Sequence, residues 1–144
     1  MISIDYPSYS FDTKVQNGTQ HIFDPFRKKW VVLTPEEWVR QNFLQYLHQG
    51  LKYPKSLIAV EKGLQLGELK KRFDILVYNK EQKPIILVEC KSSNIKLTVD
   101  TIQQALNYNI TIPVEFIVIT NGLETHFFQK KNNNLFATTH LPLF

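Results

Sequence analysis

The sequence predicts an α/β domain in which a central mixed β-sheet lies between helices, with a β-hairpin added at the N-terminus. Three observations carry this. Two segments rich in Ile, Leu and Val, Phe73 to Tyr78 and Ile85 to Lys91, read as buried neighbouring strands. Two stretches with apolar residues at helical spacing, Thr34 to Gly50 and Val99 to Asn109, flank that pair. A third buried strand, Val114 to Thr120, follows the second helix.

The elements follow in order. The run Tyr9 to Gln16 meets Asn17-Gly18, a strong two-residue hairpin signal, and Thr19 to Phe23 returns. Asp24-Pro25 turns the chain into the short strand Lys29 to Leu33. At the first helix Thr34 is placed as N-cap, Pro35 as the first helical residue and Glu37 three positions after the cap, the spacing of a capping box. Trp38, Val39, Phe43, Leu44, Tyr46 and Leu47 form its apolar stripe, and Gly50 closes it. Leu57 to Leu66 reads as a strand bent at Gly63, with a turn beginning at Gly67. The polar turn Asn79 to Lys83 joins the two central strands. In the second helix Ile102, Ala105 and Leu106 face inward. Asn121-Gly122 then starts a hairpin whose return strand is Glu124 to Gln129, and Asn132 to Asn134 turns toward one last short strand.

Length and composition set bounds. The 144 residues suit one domain with its own core, divided as a hairpin extension (1–33), a core (34–130) and a tail (131–144). The start shows no basic segment followed by an apolar one, and no apolar run is long enough to span a bilayer. A single cysteine, Cys90, excludes an intrachain disulfide framework and fits a reducing compartment, so a cytoplasmic, non-membrane protein is expected. The net charge of +4 arises wholly before residue 73, at Arg27-Lys28-Lys29 and Lys70-Lys71-Arg72. The second cluster runs directly into Asp74. Such a balance permits a nucleic-acid partner, and equally describes a solvated basic face.

The chemistry concentrates in one spacing: Asp74, fourteen residues, then Glu89-Cys90-Lys91. Strand side chains alternate, so Glu89 and Lys91 share a face and Cys90 points to the other, among apolar neighbours. Charges at the end of an apolar strand need a partner or a metal. If the Asp74 strand lies alongside, two carboxylates and an ammonium converge, the chemistry of a metal-dependent phosphodiesterase. Each residue also has a plainer reading. Glu37 can close a capping box, Asp74 can pair with Arg72, and Glu89 with Lys91 can be a surface ion pair. Gln104 and Tyr108, four apart on the second helix, share a face. His21, His48, His126 and His140 have no metal-ligand spacing, and no Gly-Lys-Ser/Thr follows Gly63 or Gly67, so no nucleotide site is expected.

Together Glu37, Asp74, Glu-x-Lys and Gln-x-x-x-Tyr resemble the PD-(D/E)XK nuclease superfamily. More narrowly, Leu33 to Gln41, Arg72 to Leu76, Val88 to Lys91, Gln104 to Tyr108 and Ile119 to Gly122 are similar to the N-terminal nuclease domain of type I restriction enzyme R subunits. The resemblance implies a restriction-endonuclease-like core and a nuclease acting on DNA. It implies Mg²⁺, replaceable by Mn²⁺, held by Asp74, Glu89 and the carbonyl of Cys90. Lys91 would orient or deprotonate water or stabilise the phosphate, and Glu37 would support the metal site. Gln104 and Tyr108, with the bordering Arg72 and Lys71, would contact substrate. R subunits carry ATP-driven translocase domains that this chain is expected to lack. A homodimer, a motor or specificity subunit in trans, and a non-catalytic binding or scaffold role all remain open at this point.

Overall fold

The computed structural model describes residues 7–144. The part of the expected N-terminal extension that precedes Pro7 lies outside the described residues, as do the side chains of Leu66 and Leu69.

The extension is a three-stranded antiparallel sheet of β1 (Thr13–Gln16), β2 (Thr19–Asp24) and β3 (Lys29–Val32). Asn17 and Gly18 form its first turn, both at positive φ (52° and 76°), the backbone that Asn-Gly adopts at little cost. The first strand starts at Thr13 rather than Tyr9, because the preceding segment holds β2 by only an isolated bond from the Phe23 N–H to the Asp12 carbonyl.

Helix α1 (Pro35–Gln45) begins as its sequence demands: the Thr34 hydroxyl accepts from the Glu37 N–H at 3.0 Å. It widens into a π turn at Tyr46–Gly50. Then come β4 (Ile58–Leu66), β5 (Leu69–Tyr78), β6 (Pro84–Cys90), α2 (Val99–Asn109, capped by Thr98), β7 (Phe116–Thr120), β8 (Thr125–Lys131) and β9 (Asn134–Thr138). The six strands β4 to β9 lie in sequence order. Only β6 and β7 run parallel, and α2 makes the crossover that such a pair needs. Val39, Phe43, Leu44 and Leu47 of α1 and its π turn pack with Ile75, Val77, Ile86 and Val88 on one face. Ala105 and Leu106 of α2 pack with Phe73, Leu76, Leu87, Ile117 and Ile119 on the other. The sheet is therefore mixed and lies between the helices.

One expectation is corrected. The bend in β4 falls at Glu61, which has φ +50°, and not at Gly63. Pairing steps from Val60–Ile75 to Lys62–Phe73 across it. The face alternation slips at the same level in both strands, since Ile75 belongs to the α1-side core and Phe73 to the α2-side core. The C-terminal tail packs onto the domain, with the last short strand where the Asn132 to Asn134 turn placed it. β9 completes the sheet, Leu141 is 3% exposed in the α1-side core, and Tyr53 Oη donates to the Pro142 carbonyl at 3.0 Å. No helix among the described residues is long and apolar enough to cross a membrane.

Candidate active site

The slip at Glu61 and Asp74 makes the site. It places Asp74 on the α1 side of the sheet beside Ile75, where α1 and the end of β6 meet it. Asp74 Oδ1 accepts from Arg40 Nη2 at 2.9 Å, and Oδ2 accepts from the Cys90 backbone N–H at 2.8 Å. β6 ends here as a parallel strand, with Lys91 N–H donating to the Thr120 carbonyl at 2.8 Å. Carboxyl ends of parallel strands are where open sheets build their sites, because the chain diverges and leaves a crevice.

That crevice, of about 430 Å³, is lined by Asp74, Glu89, Lys91, Arg72, Gln104 and Tyr108 among others. Six residues singled out from the sequence thus share one cleft. Lys91 Nζ lies 3.5 Å from Glu89 Oε1. The Glu89 carboxyl is pushed above the usual range by burial and then by the charge of Asp74, with Lys91 and the Asn109 amide partly offsetting both. Cys90 between them is 1% exposed in the α1-side core, and burial drives its thiol well up, which leaves it a poor nucleophile. Only its backbone belongs to the site.

Glu37 and Lys71 are placed elsewhere. Glu37 is buried, with Oε1 2.6 Å from Arg40 Nη1 and Oε2 accepting from Arg27 Nη2 at 2.9 Å and Gln41 Nε2 at 3.1 Å. It braces Arg40, and through it Asp74, without lining the cleft. Lys71 turns to the end of α2. Its Nζ lies 4.4 Å from the centre of the Tyr108 ring and donates to the Tyr108 carbonyl. Arg72 is largely exposed at the cleft mouth, 3.1 Å from Glu61.

The sequence reading missed Arg40, Glu36, Glu61 and Asn109. Arg40 touches four carboxylates: Glu37, Asp74, and, at 3.7 and 3.6 Å, Glu36 and Glu61. Burial opposes its charge, but Glu37 and Asp74 outweigh that and hold its pKa above the ordinary value. Glu36, the other acid of the first turn, feels the charges of both Asp74 and Lys91. The spacings Glu36-Arg40 and Glu37-Arg40 were a readable signal. Glu61 was not, because its position depends on the slip.

The donor chemistry suits a hard divalent cation. Linked by these contacts, Asp24, Glu36, Glu37, Glu61, Asp74 and Glu89 face Arg27, Arg40, Arg72 and Lys91, six carboxylates against four cations. Two negative charges remain uncompensated. Among the described residues no set of three His, Cys, Asp or Glu side chains is arranged to hold a metal. Two carboxylates with backbone oxygen, water and phosphate are the kind of set Mg²⁺ accepts.

Comparison with known proteins bears on the family and the fold. The family model described as type I restriction enzyme R protein N terminus matches residues 35–142. No curated protein matches the chain. Among solved structures, a fragment assigned to an HsdR subunit of a type I restriction enzyme from Vibrio vulnificus superposes with a TM-score of 0.53 at 20% identity, over 76% of this chain and 24% of that one. That likeness shows the fold. The chain spans about a quarter of the length of the structure it matches.

Proposed function

Because the chain belongs to the family of type I restriction enzyme R protein N termini, we propose that it is a metal-dependent nuclease that hydrolyses DNA phosphodiesters. The observation that carries this is the convergence of Asp74, Glu89 and Lys91 in one cleft, with Lys91 Nζ 3.5 Å from Glu89. Asp74, Glu89 and the Cys90 carbonyl would hold Mg²⁺, or Mn²⁺ in its place. When bound, such a cation supplies positive charge to the phosphodiester and acidifies water. Lys91 orients the attacking water, accepts its proton, or stabilises charge on the scissile phosphate. Gln104 and Tyr108, on the α2 wall of the same cleft, and Arg72 at its mouth contact the substrate strand. Glu37 acts on the metal site indirectly, by holding the Arg40 that holds Asp74. A cytoplasmic restriction system is the setting this reading implies.

A second reading rests on a specific observation: both oxygens of Asp74 already accept protein donors. A site so engaged fits a subunit that becomes active only when joined to a motor or specificity partner. The experiment is cleavage of supercoiled plasmid by purified protein in Mg²⁺, Mn²⁺ or EDTA, beside Lys91→Ala. Metal-dependent nicking abolished by Lys91→Ala is the expected result. Cleavage that survives the substitution would place the chemistry elsewhere. No cleavage in either metal would remove the stand-alone enzyme and leave the partner-dependent one.

A further inference from the structure

Beyond Asp74 the β4–β5 pair leaves the sheet. β5 pairs with β6 only from Ile75 to Tyr78, so residues 62–73 form a two-stranded ribbon that projects past the cleft. The ribbon carries Lys62, Lys70, Lys71 and Arg72 against one acid, Glu68, so its field is positive. Its two faces differ. Leu64, Lys71 and the buried Phe73 turn toward α2, and Lys71 fastens that face to the helix at Tyr108. Lys70 and Arg72 alternate with them on the outer face, both exposed, in line with Asp74. Two residues apart on one strand, they stand roughly 7 Å from each other. The cross-strand partner of Arg72 is Gly63, where an added Cβ would meet nothing nearer than the Lys71 carbonyl at 3.9 Å. The outer face is thus flat beside two cations.

We propose that this outer face, Lys70 and Arg72 opposite Gly63, is a track for the phosphate backbone of duplex DNA leading to the Asp74–Glu89–Lys91 cleft. The inference rests on the nuclease reading and adds the surface by which the substrate is held. A two-stranded ribbon is of a size that enters or lies along a DNA groove, and lysine and arginine at strand spacing meet successive phosphates. Arg72 exchanges its exposed partner Glu61 for a phosphate, a small loss because such surface pairs contribute little. Lys71 has the separate task of keeping the ribbon against α2, so that Gln104 and Tyr108 face the same strand.

The test measures binding of a duplex oligonucleotide by fluorescence anisotropy over a salt series, without divalent metal and in the Lys91→Ala background. Replacing Lys70 and Arg72 by Gln makes the slope of log affinity against log salt shallower by about 2, since each phosphate contact contributes about 0.9. Lys83→Gln, in the turn at the far end of β5, leaves the slope unchanged. Gly63→Val, which fills the gap without altering charge, weakens binding at constant slope and unchanged melting temperature. A double variant with the slope of Lys83→Gln overturns the track, as does Gly63→Val binding like its parent. Metal-dependent cleavage by the chain with Lys91 intact, alongside such a result, would leave the nuclease standing. Binding that depends on the ribbon, from a protein that never cleaves in metal, would leave the track standing and remove the stand-alone enzyme.

Discussion

Arg40 Nη2 reaches Asp74 Oδ1 while its Nη1 holds Glu37 Oε1, and the side chain is almost wholly buried. Removing one partner of a buried ion pair strands the other in a poor solvent, which typically costs about 3–5 kcal/mol. Arg40→Met should therefore lower stability by roughly that amount, measured by urea unfolding. Glu37→Gln should cost less, because Asp74 and Glu61 remain to balance Arg40 and Arg27 retains Asp24. The double variant should lose less than the sum of the two, since residues in one network couple. Additive losses would show that Glu37 and Arg40 do not act as a unit. The same logic separates residues by role. Lys91 ends in the cleft and is half-exposed, so Lys91→Ala should change stability by no more than about 0.5 kcal/mol while abolishing cleavage.

At the scale of elements, local rules were sufficient wherever the chain obeyed them. The Thr34 cap, the Asn17-Gly18 turn and the span Val99–Asn109 of α2 could be read directly, because cap geometry, positive-φ residues and helical periodicity are short-range signals. So could the meeting of Asp74 with Glu89 and Lys91, once two apolar runs were taken as neighbouring strands. What escaped was the slip at Glu61. A non-glycine residue in the left-handed region gives no sign in sequence when a glycine stands two positions on and invites the bend instead. Missing it hid Glu61 and the embrace of Asp74 by Arg40. The buried Asn109 was hidden for a similar reason, as a polar residue at a helix end ordinarily faces solvent. The cap offers a direct check at this scale. Thr34→Ala removes the acceptor of the Glu37 N–H and should cost about 1 kcal/mol, seen as a lower melting temperature with unchanged ellipticity in the folded state. A loss near zero would mean that the buried ion pairs, and not the cap, fix the start of α1.

Among the described residues two apolar cores hold the molecule, one on each sheet face, and Leu141 completes the first. Leu141 → Ala should cost about 2–5 kcal/mol, since Leu141 fills the α1-side core beside Leu51 and Tyr53. Against this stability stands the charge imbalance at the sheet's end, where two carboxylates more than the neighbouring cations can balance are held in one network. A divalent cation that binds the folded chain and not the unfolded one must stabilise it by mass action, by about 2.7 kcal/mol at a hundredfold excess over Kd. Melting temperature should therefore rise with added Mg²⁺ or Mn²⁺ whether or not any DNA is cut. The Asp74→Asn, Glu89→Gln double variant should lose that rise, because it removes both charges proposed to hold the cation. At residue 89 it should also remove a penalty, since neither burial nor the charge of Asp74 then acts against a carboxylate there. An equal rise in the variant would mean the cation binds elsewhere. No rise in the native chain would mean that Arg40 and the Cys90 N–H hold Asp74 too firmly for a cation to enter, and would turn the weight toward a partner that frees it.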